Sequence, residues 1–387
     1  MVKVGSLFTQ VLSLISRKQF DLAVRQHGAE RGAKGFSCWS QFVAMMFCQM
    51  AGANSLREIC GGLATAMGKL VHLGLKAAPA RATLSYANEH RSYRVFEAMF
   101  YHLLEQAQSQ AALKRRKFRF KNPLVSLDSS TIDLCLTMFD WAKFRRAKGA
   151  VKLHLQLDHQ GYLPSWALVT DGKTADVKVA QMLRFSPGTI VAMDRGYVDY
   201  ELFGRWCDEG VFFVTRAKSN MAYRVVTRRS VPEHGPVLMD EEIGLTGVKA
   251  NEACPCRLRR IVVWDEENQR EIVLLTNHLE FAAGTIGRIY KDRWQIELFF
   301  KAIKQTLKIK TFVGTSENAV QIQIWTALIC MLVLKLLQLR SSFGWSISNL
   351  AAMVRMNLLT YRELWRWLND PFDTPMAEPV FEQLTLF

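Results

Sequence analysis

Between Asn122 and Arg216 the chain takes on a texture that few folds can accommodate. Three strand-like runs follow one another, NPLVSLDSSTIDL (122–134), GAVKLHLQLD (149–158) and LPSWALVTD (163–171), the last two joined by the turn His159-Gln160-Gly161. A helix is expected around Thr174–Arg184, then the buried strand GTIVAMD (188–194), a helix around Tyr200–Asp208 and the strand VFFVTR (211–216). The order β-β-β-α-β-α-β predicts an α/β class, a mixed sheet flanked by helices.

The flanks read differently. The apolar run CWSQFVAMMFCQMA stops at Gly52, and Ser55-x-x-Glu58 forms a capping box for the next helix. Thr83 or Ser85 can cap a short helix, and Phe96, Met99, Phe100, Leu103, Leu104 and Ala107 recur at helical spacing. From Met1 to Leu127 there are 18 Lys/Arg and 6 Asp/Glu, a balance of +12 within a total of +15. So basic a segment points to a polyanion, nucleic acid before membrane. KRRKFRFK (114–121) closes it, as a phosphate contact or as a solvated linker. With 387 residues and 49% hydrophobic content the chain can bury a large core, which excludes disorder as its dominant state.

Four parts are expected: a basic helical DNA-binding domain (1–120), an α/β domain in two pieces (121–216 and 280–340), a β-rich insertion (217–279), and a C-terminal helical region and tail (341–387). The Met1 segment lacks a continuous apolar stretch and a cleavage site, so a cytoplasmic protein is expected. The eight cysteines lack paired metal or disulfide spacing, Cys254-Pro-Cys256 reads as a loop feature, and reduced thiols are expected. Trp325 to Leu339 is too short to span a bilayer and contains Lys335, so it reads as a core helix.

Acidic residues at the ends of apolar strands are costly unless something offsets the charge. Two stand out: Asp128 within LVSLDSST, and Asp194, which ends IVAMD before Arg195-Gly196-Tyr197. Turn or cap roles are the competing explanation. A third carboxylate, Glu297, lies in YKDRWQIELFFKAIK. There Tyr290, Arg293, Glu297 and Lys304 fall at i, i+3, i+7 and i+14, on one face of one helix. Such a stripe is by default solvent-exposed. The apolar neighbours Ile289, Trp294, Ile296, Leu298, Phe299, Phe300 and Ile303 argue instead that the helix is largely covered.

Y-x2-R-x3-E-x6-K, read at Tyr290, Arg293, Glu297 and Lys304, resembles the signature of insertion-sequence DDE transposases of the insertion-sequence-four type. Asp128 in LDSST and Asp194 in MDRGY resemble that family's first two catalytic aspartates, over residues 121–340. FSCWSQFVAMMFCQMAGANSLREI looks like the helical domain that precedes one subgroup.

The resemblance implies an RNase H-like domain in which the first and fourth strands are neighbours, bringing Asp128 beside Asp194, with Glu297 completing the site. It implies two Mg²⁺ ions, with Mn²⁺ able to substitute, held by Asp128, Asp194 and Glu297. It implies binding to transposon ends and target DNA, pairing of two ends by a homodimer, and strand cleavage followed by strand transfer. Tyr290, Arg293 and Lys304 would contact the DNA.

Arg195, beside Asp194, and Arg216 and Lys218, after the VFFVT strand, are further DNA candidates. So are Lys143, Arg145 and Arg146 behind Phe139 and Trp141; solvated basic positions are the alternative. Hairpin-forming relatives place a Trp before an apolar strand where this chain has Ile272, so Trp264 is the substitute candidate, with simple packing as its alternative. His154 reads as a core histidine, and Asp133, Asp158, Asp171 and Asp176 as turn or cap residues. A DNA-binding regulator derived from such an enzyme and a metal-dependent nuclease remain alternatives to a transposase.

Overall fold

The computed structural model describes residues 5–33, 35–66, 69–113, 116–135, 138–139, 141–145, 148–307 and 311–376. Six helices come first: α1 (Leu7–Leu12), α2 (Arg17–Gln26), α3 (Cys38–Ala51), α4 (Leu56–Ala64), α5 (Arg81–His90) and α6 (Arg94–Ala112). Gly52 ends α3 in the left-handed conformation at φ 74°. Ser55 and Glu58 cap α4 reciprocally, since Ser55 Oγ accepts from the Glu58 N–H and Glu58 accepts from the Asn54 N–H at 2.9 Å. Neither Thr83 nor Ser85 caps α5. Both lie inside it, and its N-cap is Ala80.

The sheet strands and their helices follow as β1 (Leu124–Leu134), β2 (Lys143–Arg145), β3 (Lys148–Asp158), β4 (Leu163–Asp171), α7 (Asp176–Met182), β5 (Ile190–Met193), α8 (Tyr200–Asp208), β6 (Phe212–Arg216), β7 (Tyr223–Arg228), β8 (Val237–Leu245), α9 (Val248–Ala253), β9 (Leu258–Asp265) and β10 (Arg270–Thr276). The ten strands make one sheet in the order β2-β3-β1-β5-β6-β10-β9-β8-β7, with β4 also paired to β3. β1, β5 and β6 run parallel, and β3 and β4 antiparallel beside them. Strands 217–279, expected as an insertion, extend this sheet: β10 pairs with β6 through Leu275 and Thr215. Periodicity in the sequence does not announce β2, β8 or α9.

β5 is buried at all four positions because helices cover both faces of the sheet. On one side Val125, Leu127, Val191, Met193 and Phe213 pack against Leu202, Phe203 and Trp206 of α8. On the other, Leu124, Ile190, Ala192, Val214 and Leu274 meet α10 (Ala283–Asp292) through Ala283, Ile286 and Ile289. α11 (Trp294–Thr306), α12 (Glu317–Arg340), α13 (Ile347–Asn357) and α14 (Leu364–Asn369) complete the chain. The N-terminal helices share one hydrophobic core with β1, β3, β4 and α11–α14, and α12 runs through its centre.

The apolar run 325–339 is therefore part of a 24-residue helix, long enough by length and composition to cross a membrane, yet 89% of its most apolar window is buried within the protein. Its apolar residues are spread around the whole circumference rather than along one stripe, as a helix surrounded by protein on all sides requires.

A second difference concerns the helix expected to carry the polar stripe. It is two helices joined at Arg293, where the Ile296 N–H donates to the Arg293 carbonyl at 3.1 Å in a tightened turn. A third concerns the cysteines. Cys207 and Cys256, 49 residues apart, form a disulfide, a pairing invisible in spacing because only the contact of α8 with α9 brings them together.

Candidate active site

β1 and β5 are in parallel register with Leu127 opposite Met193. The next residue on each strand is an aspartate, so Asp128 and Asp194 stand side by side where the two strands end their pairing. Asp194 caps the short 3₁₀ turn Arg195–Tyr197 and accepts from the Gly196 N–H at 2.9 Å. Asp128 accepts from the Ser129 N–H at 2.8 Å. Its cap-like role is local; its second oxygen faces Arg293.

The Arg293 guanidinium, 6% exposed, bridges the site. Its Nη2 donates to Glu297 Oε1 at 2.6 Å and its Nη1 lies 3.7 Å from Asp128 Oδ2. Tyr290 places its ring 5.4 Å beneath the same guanidinium. Burial pushes the Asp128 carboxyl up to about 6; the Ser129 N–H and Arg293 oppose that rise, and the charges of Glu297 and Asp194 add to it. Burial likewise raises the Tyr290 phenol, with Arg293 pulling it down. Lys304 donates to the Thr131 carbonyl at 2.9 Å, tying α11 to the strand that carries Asp128.

Two networks that sequence reading missed hold these elements. Asp292, 4% exposed, faces His159 Nδ1 at 2.6 Å, accepts from Tyr162 at 3.1 Å and pairs with Lys117; His159 Nε2 lies 2.7 Å from Ser126 Oγ. This Ser-His-Asp chain is closed to substrate, since Ser126 is 0% exposed. It clamps the α10–α11 joint to β1, two residues before Asp128. Lys117 thus turns inward from the basic run, neither solvated nor free for phosphate, and Phe118 and Phe120 stack with centroids 5.1 Å apart.

The second network centres on Asp176. It accepts from Ser129 Oγ at 2.7 Å and from Lys152 at 3.2 Å, and makes no cap bond on α7, contrary to its expected capping role. His154 is fully buried on β3 with Nε2 2.9 Å from Thr170, a core histidine as expected, and burial lowers it to about 4. Asp158 and Asp171 serve turns, accepting from Gln160 and Thr174. Asp133 lies on β1 rather than in a turn.

Beside Asp194 opens a cavity of about 290 Å³ lined by Arg195, Arg216, Lys218, Tyr223, Arg260 and Glu271, among others. Lys218 reaches back to the Val198 carbonyl at 3.0 Å. Trp264, 37% exposed, pairs across the ladder with Glu271 and so shares its face. Lys143 and Arg145 lie on β2, away from this cavity in sheet order. Arg146 falls outside the described residues. Of the apolar positions expected to be covered around Glu297, Trp294 and Leu298 are 54% and 42% exposed, while Ile289, Ile296, Phe299, Phe300 and Ile303 are buried.

Residues 119–333 match the model of the transposase DDE domain. The chain belongs to the DDE transposase family. Residues 4–76 separately match a domain of unknown function. The transposase is 33% identical to a Sinorhizobium fredii protein named as putative transposase y4zB, over 67% of this chain and 71% of that one. It is 30% identical to the Geobacillus stearothermophilus protein named as the transposase for insertion sequence element IS5377, over 57% and 58%. With the Synechocystis protein named for element IS4SA it shares 26% identity over 68% and 73%. A piggyBac transposase synaptic complex with hairpin DNA is 9% identical, with a TM-score of 0.43 over 98% of this chain and 84% of that one.

The transposase is an enzyme of DNA cleavage and transesterification, and divalent-metal dependence goes with the family. Asp128, Asp194 and Glu297 could hold such an ion: all three offer hard oxygen donors, which suit an oxygen-preferring dication. Their oxygens are not drawn within 4.8 Å of one another, and Arg293 stands between Asp128 and Glu297.

Proposed function

We propose that this chain is an insertion-sequence transposase of the insertion-sequence-four type with an RNase H-like catalytic core, cutting and pasting its element by binding the terminal inverted repeats as a homodimer. What supports the reading above all is the register that sets Asp128 beside Asp194, with Glu297 held to the same guanidinium that faces Asp128. Strand order β4-β3-β1-β5-β6, with β1, β5 and β6 parallel, is the arrangement an RNase H-like core requires.

In this reading Asp128, Asp194 and Glu297 ligate two Mg²⁺ ions, for which Mn²⁺ can substitute. When bound, the ions supply activation of the attacking oxygen and stabilisation of the leaving one at the scissile phosphodiester. Arg293 and Tyr290 hold the phosphates on either side of that bond, and Lys304 carries positive charge along α11 toward the transposon end. Arg195, Arg216 and Lys218 line the cavity next to Asp194, where a nucleotide backbone bends past the site; Trp264 offers an aromatic face nearby. Lys143, Arg145 and Arg146 extend the basic track beyond β1. Helices 1–120 bind the repeats, 121–216 with 280–340 perform the chemistry, 217–279 cover the cleavage point, and 341–387 support the core. The reaction takes place on nucleoid DNA in the bacterial cytoplasm, without a membrane.

A cleavage and joining assay on DNA carrying the element's ends tests this, comparing the wild type with Asp128→Ala, Asp194→Ala and Glu297→Ala in Mg²⁺ and in EDTA. Joined products from the wild type alone, with end binding retained by all three variants, are expected. Cutting that survives any one substitution removes that residue from the triad. Cut but never joined DNA favours the nuclease.

A further inference from the structure

Where α8 meets the turn after α9, three sulfur atoms converge on one point. Cys207 lies in the last turn of α8, while Cys254 and Cys256 follow α9, and all three Sγ atoms lie within 4.8 Å of one another. Cys254 Sγ is 3.3 Å from Cys256 Sγ, and Cys207 and Cys256 are joined. A disulfide needs two sulfurs; the third, buried and brought to the same point, is what a metal site needs.

The surroundings are built for thiolates. Asn277 donates through Nδ2 toward Cys207 Sγ at 3.5 Å, and its amide is fixed by bonds to Val211 and Phe213. The Cys256 backbone N–H points at the Cys254 sulfur. Such N–H donors orient sulfur ligands and offset their charge. The approach is also tight: a Cβ at Gly204 would lie 2.0 Å from the Ala253 carbonyl oxygen, so only glycine lets α8 come this near the three cysteines. Cys254 is buried, while Cys207 and Cys256 are partly open, which leaves a solvent-facing position for a fourth ligand.

We propose that Cys207, Cys254 and Cys256 bind a thiophilic dication, Zn²⁺, in the reduced protein, fastening the strands β7–β10 to α8, and that the disulfide is the metal-free oxidised form. Two molecules of a low-molecular-weight cellular thiol R–SH reduce the disulfide, yielding the Cys207 and Cys256 thiols and one R–S–S–R. Each of the three thiols then releases a proton to solvent as its sulfur bonds to the ion, and water fills the fourth position. Tetrahedral thiolate coordination is the geometry zinc prefers. Such a site is structural and separate from the hard carboxylates, which take oxygen-preferring ions.

The test uses the full chain purified under reducing conditions and loaded with Zn²⁺ or Co²⁺ alone. About one zinc per chain is expected in the wild type and in Asp128→Ala, together with a thiolate-to-cobalt charge-transfer band that carboxylates cannot produce. Cys254→Ser, which leaves the disulfide pair intact, is expected to lose both the zinc and the band while still forming the disulfide on oxidation. No zinc and no band in the reduced wild type overturns the proposal, as does a Cys254→Ser protein that keeps them. Should Cys254→Ser fail to fold, the cobalt spectrum of the wild type decides alone, and absence of the band overturns the site.

Discussion

Arg293 donates to Glu297 at 2.6 Å across the opening of the site, and the same guanidinium lies 3.7 Å from Asp128. A buried cation between two carboxylates neutralises them when no metal is bound. Its Nε and Nη1 make no hydrogen bond, so the guanidinium is held by charge more than by directed bonds. Arg293→Ala is expected to lower the stability of the metal-free protein by roughly 2 kcal/mol, because it leaves two facing carboxylates without a partner. Added Mg²⁺ should then raise the Tm of the variant more than that of the wild type. Equal shifts in thermal unfolding would remove Arg293 from this role.

Asp128 gives the metal-free protein a distinctive pH dependence. Its carboxyl ordinarily titrates near 3.8 and stands at about 6 when folded, so between those values the folded state binds more protons than the unfolded one. Stability should therefore fall as pH rises from about 4 to 6, and the full cost persists above 6. Asp128→Asn is expected to remove this slope and to add about 2 kcal/mol at pH 7, at about 1.4 kcal/mol per unit. Urea titrations in EDTA across that range measure it, and identical slopes in wild type and variant would contradict it.

The clamp at the helix joint should matter to stability before it matters to chemistry. Burial would push the Asp292 carboxyl up, but His159 and Lys117 overcome it and hold it below its ordinary value. Its contribution is therefore present above about pH 3.8 and lost as pH falls through the lower folded value. Asp292→Ala leaves Lys117, His159 and Tyr162 without their shared acceptor, with an expected loss of about 3 kcal/mol or more. Ser126→Ala, at the far end of the chain, should cost only about 1 kcal/mol. Denaturant melts that rank the two the other way would show that the clamp does not depend on Asp292.

Lys335 lies on α12, where burial lowers it from 10.5 to about 8. The unfolded chain holds the proton more tightly between those values, so this group makes stability rise with pH from about 8 to 10.5. Lys335→Met should stabilise the protein at pH 7 and flatten its melting curve across that window. A lower Tm for the variant at pH 7 would mean that the ammonium has a partner worth more than its burial costs.

Much of the architecture was legible because its signals are local. β5 is four consecutive apolar residues, and α8 and the capping of α4 by Ser55 and Glu58 follow from positions a few residues apart. What escaped had mixed or short patterns. β8 reads VLMDEEIGL, and its two interior acids, Asp240 and Glu241, are buried against Arg259 and Arg260, partners 19 residues away. The Ser126–His159–Asp292 chain joins residues 33 and 133 positions apart, so no spacing could announce it. Trp294 and Leu298 are exposed against expectation because apolar character alone does not say whether a helix face meets protein or solvent.

From sequence alone came the alternation of strands and helices, the basic N-terminal stretch, and the three acids with the Tyr-Arg-Glu-Lys spacing, because periodicity, charge and short-range capping are properties of neighbouring residues. Only the tertiary structure decided that β7–β10 prolong the same sheet, that Arg293 breaks the helix between Asp128 and Glu297, and that Cys207 meets Cys254 and Cys256. Those relationships depend on which surfaces close on one another when the core forms, and burial against a distant partner leaves no trace in the spacing of the residues that make it.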